Sequence, residues 1–123
     1  MGKVKFFADT YALMEIVQGN SEYKRFVNDE LFTNKVNLYE FLYNLRKKLH
    51  GEVAKEFFYQ FRDMVLLIED EDIFDATEIK LEHSKKGLSY ADTLGYAMAL
   101  RRNILFLTGD KEFQNLPGVE FVK

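Results

Sequence analysis

Asn103-Ile104-Leu105-Phe106-Leu107-Thr108-Gly109-Asp110 is an apolar run that stops on a glycine and an acid, and its reading decides the fold. Four consecutive large apolar residues bounded by turn signals have the length of a fully buried strand. The chain repeats the pattern near its start, where Val4-Lys5-Phe6-Phe7-Ala8 runs into Asp9. Both acids therefore stand where a buried strand ends and a helix begins. In an open α/β sheet that is the edge which carries ligands.

Helical spacing fills the stretches between such runs. Thr10 to Gln18 reads as a helix ended by Gly19-Asn20, and Ser21 to Val27 as a second, short helix leading to a strand at Leu31-Phe32-Thr33. Leu38, Phe41, Leu42, Leu45 and Leu49 mark a third helix that His50-Gly51 ends, and Glu52 to Arg62 a further one. Met64 to Ile68 has the apolarity of another strand. The acidic run Glu69-Asp70-Glu71-Asp72 precedes a helix from about Ile73 to Lys86, and Ser89 to Arg102 forms the last long helix. After the strand at Ile104 to Leu107 come a helical turn at Glu112 to Asn115 and a terminal strand at Val119 to Val122. Strands separated by helices throughout predict an α/β fold with a mostly parallel sheet and helices on both faces.

Bulk properties bound the reading. The 123 residues, 47% hydrophobic and 15% aromatic, suit one self-folding domain over 1–123. Cysteine is absent, which excludes a disulfide framework and a thiolate metal site. No apolar stretch is long enough to span a bilayer, and the opening from Met1 to Phe6 lacks a leader's apolar core, so a soluble, cytoplasmic protein without a membrane partner is expected. A net charge of -3 argues against a broad basic face for nucleic acid but permits local patches.

Four acids are candidates for chemistry: Asp9, Glu40, Asp92 and Asp110. Each has a plainer explanation. Asp9 and Asp110 can cap the helices that follow them. Asp92 stands three residues after Ser89, in capping-box position, although its helix is apolar nearly all round and should hold it against packed structure. Glu40 lies about 100–200° around the helix from the stripe of Leu38, Phe41, Leu42 and Leu45, ordinarily a solvent-facing place. Gathered together, the four would make an oxygen-only cation site suited to Mg²⁺ or Mn²⁺ rather than zinc. His50 and His83 lack a second histidine at ligand spacing. Arg46-Lys47-Lys48, Lys85-Lys86 and Arg101-Arg102 sit near helix C-termini and read as solvated caps. The serines lack a nucleophile elbow, and the glycines are too scattered for a P-loop or a dinucleotide fingerprint.

Phe7-Ala8-Asp9-Thr10-Tyr11-Ala12-Leu13, Glu40 near the start of the third helix, Leu88-Ser89-Tyr90-Ala91-Asp92-Thr93-Leu94-Gly95-Tyr96-Ala97 and Leu107-Thr108-Gly109-Asp110-Lys111-Glu112-Phe113 together resemble the PIN-domain family. The likeness covers nearly the whole chain and is greatest to compact VapC-like ribonuclease toxins of prokaryotic toxin–antitoxin pairs. It implies a parallel sheet of order 3-2-1-4-5 and Mg²⁺- or Mn²⁺-dependent endoribonuclease activity leaving a 5′-phosphate. Asp9, Glu40, Asp92 and Asp110 would be the acidic site, with Thr108 as a neighbouring hydroxyl that orients a carboxylate or a water. The family's glutamate often precedes a leucine, whereas Phe41 follows here. The partners implied are an RNA substrate, a cognate antitoxin protein and a second copy in a homodimer. Two other readings stay open: a non-catalytic PIN-fold scaffold that binds RNA or protein, and a different Mg²⁺-dependent phosphohydrolase. For an aspartyl-nucleophile phosphatase, Tyr11 stands where a second acid is commonly wanted.

Overall fold

Successive side chains of a strand point to opposite sides, and here both sides are buried. In β1 (Lys5–Ala8), Phe6 and Ala8 enter one apolar core and Phe7 another; in β3 (Leu105–Thr108), Leu107 joins the first and Phe106 the second. A sheet apolar on both faces must be covered twice. α1 (Thr10–Val17), a 3₁₀ segment (Ser21–Asn28), α2 (Lys35–Arg46) and α3 (Gly51–Arg62) cover the first face through Leu13, Phe26, Phe41 and Phe61. α4 (Asp70–Glu82) and α5 (Tyr90–Arg101) cover the second, where Tyr96, Met98 and Ala99 meet Phe7, Phe106 and Phe113. The structure, a computed structural model, describes residues 3–123. Met1 and Gly2, part of the expected domain span and of the opening read as leaderless, lie outside the described residues.

β2 (Glu30–Phe32) and β4 (Val119–Phe121) complete a four-stranded sheet of order β2-β1-β3-β4, parallel throughout. The α/β class with helices on both faces is as the sequence predicts. The strand expected at Met64–Ile68 is reduced to one parallel bridge between Thr33 and Val65, held by Thr33 N to Met64 O (3.1 Å) and Leu66 N to Thr33 O (2.8 Å). It lies outside β2, the position the order 3-2-1-4-5 assigns it, but β2 is too short to pair with it further. The acidic run from Glu69 turns out to belong to α4, where Asp72 Oδ2 accepts from Glu69 N at 2.8 Å. Gly51 begins α3 instead of ending α2, and Ser21–Asn28 is 3₁₀ rather than α-helical.

Two local features set the frame rigidly. A Cβ on Gly95 would stand 2.9 Å from the Phe7 ring, so the glycine lets α5 press onto the sheet. Asp72, fully buried, meets Arg101 Nη1 at 2.7 Å and Arg102 Nη1 at 2.8 Å, clasping the start of α4 to the end of α5. Arg101 and Arg102 are therefore ion-paired and not solvated caps. Burial works to raise the Asp72 pKa, but hydrogen bonds from Arg102, the Glu69 amide and Arg101 outweigh it and hold it down at about 2.

Candidate functional site

The sheet's carboxyl edge assembles the site from residues that first serve as helix caps. Asp9, directly after β1, accepts from Ala12 N through Oδ1 at 2.8 Å and so starts α1. Its Oδ2 accepts from Thr108 Oγ1, at the end of β3, at 2.5 Å. The same hydroxyl oxygen accepts from Asp110 N at 3.0 Å, so one threonine ties two of the acids across neighbouring strands. Asp110 Oδ1 in turn accepts from Glu112 N at 3.0 Å. Asp92 Oδ2 accepts from Ser89 N at 2.9 Å in the capping box of α5. For Asp92 and Asp110 the cap engages one carboxylate oxygen among the described residues and leaves the other open.

Asp9, Asp92 and Asp110 line one cleft of about 350 Å³. Glu40 sits beside it. Thr10 Oγ1 lies 2.8 Å from Glu40 Oε1 and 2.9 Å from Asn37 Oδ1, and its single proton serves one of them at a time. Asn37 Oδ1 also accepts from Thr10 N at 3.0 Å, and Asn34 caps α2 by accepting from Asn37 N at 2.7 Å. A polar stripe of Asn34, Asn37 and Glu40 thus docks the start of α2 on the start of α1. The sequence reading does not single out Thr10, Asn34 or Asn37, yet the three-residue spacing of Asn34, Asn37 and Glu40 on one helical side is a signal for the two asparagines. His50 and His83 line no part of the cleft.

The charges oppose one another. Burial pushes the Asp9 carboxyl up to about 7, against the lowering hydrogen bonds from Thr108 and Ala12, and Asp92 and Asp110 raise it further. Burial likewise raises Asp92, with Asp110 and Glu40 adding to the rise. Gly109 completes the mouth: a Cβ there would stand 2.1 Å from the Tyr11 ring and 2.6 Å from Val122 O, so only glycine lets that ring and the chain meet. A larger groove of about 580 Å³ beside α4 and α5, with Ile73, Leu81 and Tyr90 in its walls, contains no carboxylate.

Hard oxygen donors, raised carboxyls and open oxygens suit a divalent cation chemically. Among the described residues, however, no three His, Cys, Asp or Glu side chains already stand close enough to hold one ion together. Thr108 is central to either state. Thr108→Val should cost about 1–3 kcal/mol, because it leaves Asp9 Oδ2 and the Asp110 amide without their partner. Thermal melting checks it, with Thr108→Ser expected to restore the loss.

The model of the PIN domain family matches residues 6–119. No curated protein sequence matches. Among solved structures, this chain is similar to VapC20 of Mycobacterium tuberculosis, described as a Sarcin-Ricin loop cleaving toxin, at 18% identity and TM-score 0.77, covering 94% of this chain and 97% of that one. It is also similar to VapBC2 of Rickettsia felis bound to a promoter DNA fragment (17% identity, TM-score 0.76, covering 97% and 98%). A third likeness is to a toxin–antitoxin complex from Klebsiella pneumoniae (18% identity, TM-score 0.75, covering 93% and 94%). At such identities these likenesses establish the fold.

Proposed function

The chain belongs to the PIN-domain family, and from that premise we propose that it is a Mg²⁺- or Mn²⁺-dependent endoribonuclease, the toxin of a toxin–antitoxin pair. The observation that carries this is the convergence of Asp9, Asp92 and Asp110 on one cleft at the ends of β1 and β3, with none of the three in an ion pair among the described residues. Asp9, Asp92 and Asp110, with Glu40 beside them, would hold the cation. When bound, it supplies Lewis-acid neutralisation of the phosphate and a lowered pKa for water.

The chain's own residues do the positioning. Thr108 fixes Asp9 Oδ2 and, through its oxygen, the backbone that carries Asp110. Thr10, itself held by Asn37, contacts Glu40 at the cleft's border, from which that glutamate orients the water that attacks phosphorus. The substrate class is single-stranded or loop RNA, whose splayed backbone can enter a narrow cleft. A cognate antitoxin and a second copy of the chain are the protein partners proposed, the first supported by the fold shared with a toxin–antitoxin complex. No helix among the described residues is long and apolar enough to cross a membrane.

Incubation of the protein with single-stranded RNA is expected to give 5′-phosphate products in Mg²⁺ or Mn²⁺ and none in excess EDTA. Cleavage surviving EDTA would refute the metal mechanism. The separation of the acids favours one other reading, a scaffold that binds RNA without cutting. Metal-independent binding with no cleavage in Mn²⁺ would establish that instead.

A further inference from the structure

The acid cleft has a second, oppositely charged wall. Lys111 follows Asp110 directly, on the 3₁₀ turn Lys111–Phe113. Lys123 follows β4, whose parallel register with β3, Thr108 opposite Phe121, brings the chain back to the same edge. Both side chains line the cleft with Asp9, Asp92 and Asp110. Neither lysine takes part in an ion pair among the described residues, where the pairs formed use Arg25, Arg101 and Arg102. Two other lysines are locally occupied: Lys80 Nζ donates to Leu88 O at 2.8 Å, and Lys47 lies over the Tyr43 ring.

Lys111 and Lys123 thus share one cleft, and among the described residues neither ammonium group is paired with a carboxylate. Asp110 and Glu112, the acids on either side of Lys111 in sequence, form no ion pair with either lysine among the described residues. The cleft thus combines acids that want a cation with lysines that want an anion. A nucleic-acid backbone answers both at once. One phosphate can face the acids through a divalent ion while its neighbour meets ammonium groups directly.

Building on the nuclease reading, we propose that Lys111 and Lys123 form a phosphate-binding subsite that holds the RNA backbone phosphate next to the one that is cut. The two lysines fix the register of the strand over the acids and carry no sequence preference. Lysine suits this as a flexible point charge on a diester.

The test separates binding from cutting. Fluorescence anisotropy of a labelled single-stranded RNA 12-mer, in EDTA and over a series of KCl concentrations, reads affinity and salt slope for wild type, Lys111→Gln, Lys123→Gln and the double variant. Each single change is expected to weaken binding roughly threefold to tenfold and to lower the salt slope by about 0.7. Lys→Arg at either position should restore both. In Mn²⁺, KM should rise with kcat within about twofold, and melting should be unchanged because both side chains are exposed. A double variant with wild-type affinity, salt slope and KM overturns the subsite even if the enzyme cuts RNA. Lysine-dependent binding by a wild type that never cuts in Mn²⁺ upholds the subsite and sinks the nuclease reading.

Discussion

Asp9→Asn and Asp92→Asn should each lower RNA cleavage in Mg²⁺ or Mn²⁺ by about a thousandfold or more while the chain stays folded. The loss follows from the proposed role: an amide cannot supply the negative charge that holds a cation and balances the reacting phosphate. Retention of the fold follows from geometry. Asparagine keeps an oxygen for the Ala12 amide at position 9 and for the Ser89 amide at position 92, so both caps survive. Without metal, removing a carboxylate whose charge is opposed by burial and by neighbouring acids should leave melting equal or higher. Residues that were caps alone would leave cleavage intact under the same substitutions, because asparagine preserves the cap. Activity above about a tenth of wild type in both variants refutes the assignment.

That contrast also shows what the sequence made legible. β1 and β3 announced themselves because strands buried on both faces leave continuous apolar runs, and the acids that end them were visible for the same reason. Capping and a shared site looked like rival explanations of Asp9, Asp92 and Asp110, yet the structure has them do the first while converging on one cleft. Glu40 is not legible from the hydrophobic stripe, since its place is set by a polar contact from Thr10, which Asn37 in turn holds. Period counting over apolar residues is blind to such a stripe. Met64–Ile68 misled because its side chains pack against both cores while its backbone makes only one bridge. Arg101 and Arg102 looked like solvent caps because their partner, Asp72, is about thirty residues away in the chain.

Divalent metal should offset the stability that the metal-free protein loses as pH rises toward neutrality. Asp9 has a folded pKa of about 7, above the unfolded value of about 3.9. Between those values the native state keeps a proton that the unfolded chain has released, so stability falls as pH rises from about 4 to 7 and levels off beyond. The loss from this group is at most about 4 kcal/mol, and Asp92, also raised, works in the same direction. Asp72 works oppositely in another window. Its folded pKa of about 2 gives stability that is present above about 3.9 and lost as pH falls toward 2. Metal-free protein should therefore melt highest near pH 4–5 and lower at pH 8. A cation that binds ionised acids competes with the proton on Asp9, so its stabilisation should be small at pH 5 and grow to about 2.7 kcal/mol at pH 8 when it is present at a hundred times its Kd. Melting curves at pH 4, 5.5, 7 and 8, in EDTA and in millimolar Mn²⁺ at matched ionic strength, measure that increment. An increment equal at every pH, or none at pH 8, would mean that the acids around Asp9 do not bind the ion, because only their ionisation ties the proton and the metal together in opposite senses.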